Sequence, residues 1–257
     1  MANARELKER MASIQETKKI TNAMYLISSS KMKQAKKKLQ DTEPFFYAMQ
    51  AEIARILRHV PDMHSHFLDG RQKKSPDERK TGCIVITADK GLAGAYNHNV
   101  IRLAEEMLRK PGRHRLFVLG ELGRQYFSKK DGLEVDTDFR YTVQYPTMHR
   151  ARLITAKMTD LFEAGELDDI YIIYTRMKNA MQEEAETIKL LPLKRMDFTP
   201  ENMPYLSGVY RETVTLYPSA HNVLDSIVPN YVNGIIYGCL VESYCSEHSS
   251  RMQAMQH

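Results

Sequence analysis

The segment at residues 87–94 has the residue types and the position of a possible ligand-binding turn. It reads Thr87-Ala-Asp-Lys-Gly-Leu-Ala-Gly94 and lies between a predicted strand and a predicted helix. Backbone amides at such a turn can cradle a phosphate. Its spacing matches neither the dinucleotide fingerprint nor the P-loop. We therefore interpret it as a tight strand-to-helix turn. A phosphorylated-ligand site on Asp89, Lys90, Gly91 and Gly94 is the alternative.

A group of histidines and aspartates is the second chemical feature of the sequence. Within eleven residues the chain carries His59, Asp62, His64, His66 and Asp69. These types can ligate metals, but their spacing matches no zinc pattern and no cysteine lies near them. We interpret the segment as a solvated loop and predict no metal site.

Two carboxylate pairs and two cysteines also favour structural roles. The pairs Asp168-Asp169 and Glu183-Glu184 adjoin predicted strands, where neighbouring side chains point to opposite faces. We expect charges at edges or turns there, because such pairs cannot act as a catalytic dyad. Cys239 and Cys245 lie on different faces of a predicted helix, which favours the core. With no nucleophile constellation in view, the sequence predicts no catalytic residue and no cofactor.

The composition excludes several classes of protein. The 257 residues are 42% hydrophobic and 27% charged, with three cysteines and a net charge of +5. No apolar run is long enough for a membrane span, and the start lacks the apolar core of a secretory signal. Three cysteines cannot form a disulfide framework. Membrane-spanning, secreted and disordered classes are therefore disfavoured.

The basic charge is concentrated in the first forty residues. They contain ten Lys and Arg but three Glu, a local net of +7, and five of the lysines fall between Lys31 and Lys38. Such a stretch is typical of a surface that binds an acidic partner. A solvated helix face is the alternative interpretation.

The first sixty residues are predicted to form one long helix. Ala2 to Thr42 contains neither Gly nor Pro, and Pro44 is expected to kink a helix that continues to Pro61. Apolar residues recur at 4-3 spacing, which is typical of a coiled-coil seam. The closing segment from Ser219 has helical spacing as well and contains Pro229. The seam residues predicted on the two helices are Leu7, Met11, Ile14, Met24, Ile27, Met32, Ile235 and Met252.

The middle of the chain has the pattern of an α/β domain. Short apolar strands are predicted at 83–86, 115–119, 169–174 and 185–191, alternating with helices at 100–108, 121–129 and 150–164. The alternation favours a largely parallel, Rossmann-like sheet. The predicted organisation is a helix at 1–60, a linker at 61–80, an α/β domain at 81–193, a linker at 194–213 and a helix at 214–257. The fold class is α/β, with two long terminal helices paired as an antiparallel coiled coil.

Three stretches resemble the gamma subunit of F-type ATP synthase, the rotating central stalk. They are Ile14-Gln-Glu-Thr-Lys-Lys-Ile-Thr-Asn-Ala-Met24 continuing to Met32, then residues 87–97, and then Pro229 through Met255, which includes Ser246-Glu-His and Arg251-Met-Gln-Ala-Met. The order of helix, α/β insert and helix is similar too. The resemblance runs from about residue 1 to residue 255.

The resemblance implies a mechanical function and a set of partners. The stalk has no catalytic site; it transmits rotation from a membrane ring of carrier subunits, driven by an ion gradient and here expected to be proton-translocating. It turns inside a hexamer of alpha and beta subunits. Thr21, Met24, Lys31 and Lys33 are placed at the neck, facing acidic loops of the beta subunits. The α/β domain is expected to contact the epsilon subunit and the ring.

Two further expectations rest on the ends of the chain. The family's last helix continues for roughly thirty residues beyond the position of Met255, about 45 Å of helix. We therefore expect the first turns, near Leu7, Met11 and Ile14, to lack a partner and fray. The start matches the family without a presequence, which suggests a bacterial protein at the cytoplasmic face of the cell membrane, peripheral to it.

Two alternatives from other classes remain. A small α/β enzyme would bind a phosphorylated ligand at residues 87–94. A basic coiled coil would bind nucleic acid with an affinity that falls steeply with salt. Aromatic residues are scarce near the lysines, so no nucleic-acid partner is predicted.

Overall fold

The computed structural model describes residues 2–68, 74–179, 182–199 and 215–256. Side chains are described from residue 4 onward in the first range. Asp69 of the histidine-rich loop lies outside these ranges, as does the part of the second predicted linker from Pro200 to Thr213.

Two long helices begin and end the described chain. Helix α1 spans Ala2–His59 and helix α5 spans Ala220–Gln256. At 1.5 Å per residue α1 is about 87 Å long. Both continue through their internal prolines, Pro44 and Pro229. The 58 and 37 helical residues confirm the two predicted long helices.

A five-stranded sheet lies between the two helices in the chain. Its strands are β1 (Lys80–Ile86), β2 (Arg113–Leu119), β3 (Glu134–Val135), β4 (Asp169–Met177) and β5 (Glu183–Leu191). The order across the sheet is β3-β2-β1-β4-β5, with β1, β2, β3 and β4 parallel and β5 antiparallel to β4. The four predicted strands are confirmed, whereas the two-residue β3 is too short for any periodicity to signal it.

Helices cover both faces of the sheet. The connecting helices are α2 (Tyr96–Leu108), α3 (Glu121–Phe127) and α4 (Met148–Glu163). One face packs Cys83 and Val85 against Val100 and Ala104 of α2. The opposite face forms the larger core with α4, α5 and the C-terminal half of α1. The strands are apolar on both faces because both are buried.

The loop before β1 is partly packed. Phe67 is buried and stacks with Phe162 of α4, and Leu68 forms an isolated parallel bridge with Leu193. His66 faces Glu163 across 3.5 Å. Within the described part of the chain, no three His, Cys, Asp or Glu side chains are grouped as metal ligands.

The structure corrects the interpretation of Asp168 and Asp169. They are 1% and 4% exposed, not surface charges. Asp168 pairs with Lys74 and accepts a hydrogen bond from the Lys80 amide, while Asp169 pairs with Arg79 and Lys189. Buried carboxylates require partners, and these ion pairs tie the start of β4 to the loop before β1 and to β5. Sequence spacing alone carries no signal of partners about 90 residues away.

Among the described residues, no helix combines the length and the apolar composition that crossing a bilayer requires.

Candidate functional site

The pairing of α1 with α5 is the most extensive contact between elements of the described chain. The ring centres of Phe46 on α1 and Tyr237 on α5 lie 6.4 Å apart, and Gly234 of α5 packs directly against the Phe46 ring. Further along, the Cys245 thiol faces the carbonyl of Met32 at 3.8 Å. Residue numbers rise on one helix as they fall on the other, so the helices are antiparallel.

The predicted seam residues divide into two groups. Met24, Met32, Ile235 and Met252 are partly buried. Leu7, Met11, Ile14 and Ile27 are 55–67% exposed. Every described side chain from residue 4 to residue 20 is exposed. This end of α1 therefore has no packing partner within the described chain, and the full seam stays a prediction.

The predicted neck residues follow one another along α1. Thr21, Met24 and Lys31 are partly buried, and Lys33 is exposed. The Lys31 ammonium lies 5.2 Å from the centre of the Tyr145 ring. The basic stretch thus borders the place where the α/β domain meets the helix pair.

Helix α5 also completes the sheet. The pairing of β4 with β1 ends at Ile173, but β4 itself continues to Met177. The Thr175 amide donates to Ser243 Oγ at 3.3 Å, and Ser246 Oγ donates to the Thr175 carbonyl at 3.2 Å. The Met177 amide donates to the Glu242 carboxylate at 3.1 Å. Side chains of α5 therefore take the place of a neighbouring strand and satisfy backbone groups of β4.

A buried ion pair fastens α5 to the turn at 87–94. Arg251 donates to Glu247 at 2.6 Å and to the carbonyls of Gly91 at 3.2 Å and Lys90 at 3.4 Å. Arg251 is 7% exposed and Glu247 is 1% exposed. Because the guanidinium has several donors in fixed directions, one side chain serves both the carboxylate and the turn. We call Glu247, Arg251 and the carbonyls of residues 90 and 91 the clasp.

The turn at 87–94 is itself held from inside the domain. The Asp89 carboxylate accepts hydrogen bonds from Thr142 Oγ1 at 2.6 Å and from the amides of Glu121 and Val143. Asn97 caps the Ala88 amide at 2.8 Å. Lys90, Gly91 and Gly94 are exposed, and Leu92 and Gly94 have positive φ. The polar groups of the turn are thus hydrogen-bonded to the rest of the α/β domain and to Arg251 of α5.

The clasp perturbs the titration of its neighbours. Burial raises the pKa of Glu247 above its ordinary value, and the hydrogen bond and charge of Arg251 partly oppose that rise. Burial, together with the positive charges of Arg251 and Lys31, lowers the pKa of His248 to about 3. His248 therefore stays neutral and accepts from Arg251 through Nδ1 at 3.2 Å.

The cysteines of α5 belong to the core. Cys239 and Cys245 are buried, and burial raises the pKa of the Cys245 thiol to about 12. A thiol held protonated is a poor nucleophile and a poor metal ligand. The predicted core role of both residues is confirmed.

These contacts place α5 where an open α/β sheet would bind a ligand. The chain runs from β1 to β2 and β3 on one side and returns to β4 on the other, so the switch point lies between β1 and β4. Ligands of such sheets bind outside the carboxyl ends of those strands. Here Ser243, Ser246 and Arg251 contact that edge. Fold and contacts define a structural class of protein, an antiparallel helix pair fastened to an α/β domain.

Sequence comparison identifies the family. A profile of the ATP synthase family matches residues 3–257. The ATP synthase gamma chain of Ruminiclostridium cellulolyticum is 40% identical over 254 residues, which cover 98% of this chain and 85% of that protein. The gamma chain of Caldanaerobacter subterraneus is 39% identical over 98% of this chain and 86% of its own length. This chain belongs to the ATP synthase gamma-chain family, the non-catalytic central-stalk subunits of the rotary F-type enzyme.

Other comparisons agree with the fold. A central-stalk chain of the Tetrahymena thermophila mitochondrial ATP synthase superposes with a TM-score of 0.66 at 24% identity, covering 92% of this chain and 98% of that one. The sodium ion specific gamma chain of Acetobacterium woodii is 32% identical over 99% of this chain and 86% of its own length. The resemblance seen in the three sequence stretches is thereby confirmed, and the alternative of a small phosphate-binding enzyme has no support.

The clasp and the serines of α5 were not predicted as a site. The segment Ser246-Glu-His and Arg251 contributed to the resemblance without an assigned role. One local signal exists, because Glu247 and Arg251 stand four residues apart and face each other on a helix. Their burial distinguishes them from the exposed pair Arg10–Glu6, and only tertiary structure reveals it.

Proposed function

We propose that the chain transmits torque as one rigid rotor, in which the α5 joint couples the helix pair to the α/β domain. The supporting observation is the double role of α5, which packs along α1 and hydrogen-bonds to β4 and the turn at 87–94. A rotation applied to the domain would pass into the helix pair through the hydrogen bonds that join α5 directly to β4 and to the turn at 87–94. The predicted division of the chain into helices, linkers and a domain at 81–193 is part of this proposal.

The proposed partners of the helix pair are the alpha and beta subunits of the hexamer. The pair would turn as an antiparallel coiled coil, with Leu7, Met11, Ile14 and Ile27 covered in the assembly. Thr21, Met24, Lys31 and Lys33 would face acidic loops of the beta subunits. The net charge of +7 over the first forty residues supports an acidic partner, since opposite charges steer and orient association.

The proposed partners of the α/β domain are the epsilon subunit and the membrane ring. The α/β domain packs on the C-terminal half of α1, whereas residues 4–20 of α1 are exposed, so the domain and that end of the helix can bind different subunits. The complex would place the chain peripherally at the cytoplasmic face of a bacterial membrane. Rotation would be driven by an ion gradient, and ATP would form on other subunits.

Co-assembly with alpha and beta subunits tests this function. The full chain should co-purify with them and support ATP hydrolysis, and with the membrane sector it should couple hydrolysis to ion pumping. Lys33→Glu should weaken coupling, whereas Lys129→Glu, the same charge reversal on an exposed residue of the α/β domain, should not. Failure to enter any complex would overturn the proposal, and equal effects of the two reversals would remove the neck contact from it.

A further inference from the structure

The turn at 87–94 binds a second segment besides α5, the loop at 142–145 that leads into α4. Oδ2 of Asp89 accepts from Thr142 Oγ1 at 2.6 Å and from the Val143 amide at 3.3 Å. Oδ1 accepts from the first amide of α3 at 3.1 Å. Both oxygens of the carboxylate therefore act as acceptors. Because an asparagine offers only one acceptor oxygen, this set of contacts requires the acid.

The loop holds Tyr145 in an unusual backbone conformation. The φ of Tyr145 is +49°, and Leu92 of the turn is the other non-glycine residue of the described chain with positive φ. Arg150 donates to the carbonyls of Gln144 at 2.8 Å and Tyr145 at 3.3 Å. Asp89 thus binds donors of the loop, and Arg150 binds its acceptors. A strained backbone persists only where its surroundings over-determine it, as these two side chains do here.

The Tyr145 ring contacts both long helices. Its centre lies 5.2 Å from the Lys31 ammonium of α1 and 6.2 Å from the centre of the Tyr244 ring of α5. Tyr145 is 60% exposed, so burial of its own side chain does not fix the ring there. The attraction of an ammonium to the face of a ring depends on their distance and direction. The contact with Lys31 therefore requires the loop to hold the ring in place.

We propose that Asp89 is a positioning residue, which fixes Lys31 to the α/β domain by holding Tyr145 in place. The turn at 87–94 then fastens both long helices, α5 through Arg251 and α1 through the loop at 142–145. Loss of the Asp89 carboxylate would release the loop, let Tyr145 return to an ordinary φ and separate its ring from Lys31. The contact is a property of the isolated chain, so this inference does not depend on the proposed torque function.

The ring current of Tyr145 at Lys31 measures this contact. The full chain is reductively ¹³C-methylated on its lysines, which keeps their charge, and the Lys31 methyl resonance is assigned by its loss in Lys31→Arg. It should lie upfield of the resonances of exposed lysines, and Tyr145→Leu should remove that upfield shift. Asp89→Asn should remove most of it too, although the hydrogen bonds of Asp89 go to the loop and to α3.

Two controls separate positioning from the loss of a charge. Asp131→Asn, the same substitution at an exposed aspartate of the α/β domain, should leave the Lys31 resonance unchanged. In the Tyr145→Leu background, Asp89→Asn should have no further effect, because the ring current is already gone. A direct effect of the Asp89 charge on Lys31 would instead persist in that background.

A pair of Thr142 variants keeps the test decisive where Asp89→Asn destabilises the fold. Thr142→Val removes the hydroxyl donor at nearly constant volume and should reduce the upfield shift, whereas Thr142→Ser keeps the donor and should preserve it. The proposal is overturned if Asp89→Asn leaves the Lys31 resonance where it was, if it shifts that resonance equally in the Tyr145→Leu background, or if the two Thr142 variants behave alike.

Discussion

Arg251 shows how much structure one side chain can organise. It pairs with Glu247 and donates hydrogen bonds to the carbonyls of residues 90 and 91, which ties that turn to α5. Its partners come from the same helix and from a turn 160 residues earlier. Because both charges are buried, removing either partner would leave the other charge uncompensated away from water.

Removing the Arg251 charge should therefore destabilise the chain. Arg251→Gln should lower the free energy of unfolding by roughly 3 kcal/mol, because Glu247 is left buried without a counter-charge. Urea denaturation of the full chain measures this change. Arg10→Gln breaks an exposed pair of the same helical spacing and serves as control, with no measurable loss expected. A loss equal to that of the control would show that the clasp does not hold α5.

His248 should make stability depend on pH. Its pKa falls from 6.5 in the unfolded chain to about 3 in the fold, where Arg251, Lys31, Glu247 and the Tyr244 ring surround it. Its contribution is fully present above pH 6.5 and is lost as pH falls toward 3. At pH 5 that loss is about 2 kcal/mol.

A His248→Gln variant isolates this effect from that of Glu247. The pKa of Glu247 is raised, so its contribution has the opposite sign and is lost as pH rises. It is present in both proteins and largely cancels in their difference. The difference in denaturation free energy should be constant from pH 7.5 to 8.5 and shrink by about 2 kcal/mol at pH 5. A difference independent of pH would mean that His248 protonates freely in the fold.

Among the elements, α5 carries three tasks along one sequence. Its first half packs on α1 through Gly234 and Tyr237, and its second half supplies Ser243 and Ser246 to β4. The two serine hydroxyls bond to the Thr175 amide and carbonyl as the backbone of a neighbouring strand would, because a hydroxyl can both donate and accept. Pro229 lies before Gly234 and Tyr237 in α5, and the helix continues through it.

Two glycines of α5 offer opposite tests of the helix pair. A Cβ at Gly234 would overlap the ring of Phe46, so Gly234→Ala should destabilise the chain by about 1–3 kcal/mol. Nothing lies within 4 Å of a Cβ at Gly238, so Gly238→Ala should stabilise it by about 0.5–1 kcal/mol through helix propensity. Thermal denaturation compares the two variants. Equal effects would show that α1 and α5 do not approach closely at Gly234.

At the scale of the whole molecule, packing is unevenly distributed along α1. Its C-terminal half enters the main core through Ile53 and Ile56, which are at most 1% exposed. Residues 4–20 are exposed throughout. A helical segment as short as residues 4–20 is only marginally stable in water when it makes no tertiary contacts. The molecule therefore joins a packed domain to a helix end without tertiary contacts in the described chain.

Hydrogen exchange of the isolated full chain should reveal this gradient. Amides of residues 5–15 should exchange at least about a hundredfold faster than those near Ile53 and Ile56, because local opening there breaks no tertiary contact. In a complex with alpha and beta subunits the same amides should become protected. Equal protection of the two regions in the isolated chain would contradict the expectation.

Local sequence was sufficient for the elements and the family. Uninterrupted helix formers predicted α1, apolar runs predicted β1, β2, β4 and β5, and three stretches identified the gamma-chain family. These features depend on neighbouring residues, whose spacing is visible in the chain. The short strand β3 was missed because two residues have no periodicity.

Only the tertiary structure decided which of these elements hold one another. The turn at 87–94 had the position of a phosphate site, and the fold uses its carbonyls to bind Arg251. Asp168 and Asp169 had the spacing of surface charges, and the fold buries them with cations from β5 and the loop before β1. Lys31 and Tyr244 both lie against the Tyr145 ring although they are far apart in sequence. The physical reason is the same in each case: burial and long-range pairing set the chemistry of a polar side chain, and both arise only when distant segments pack together.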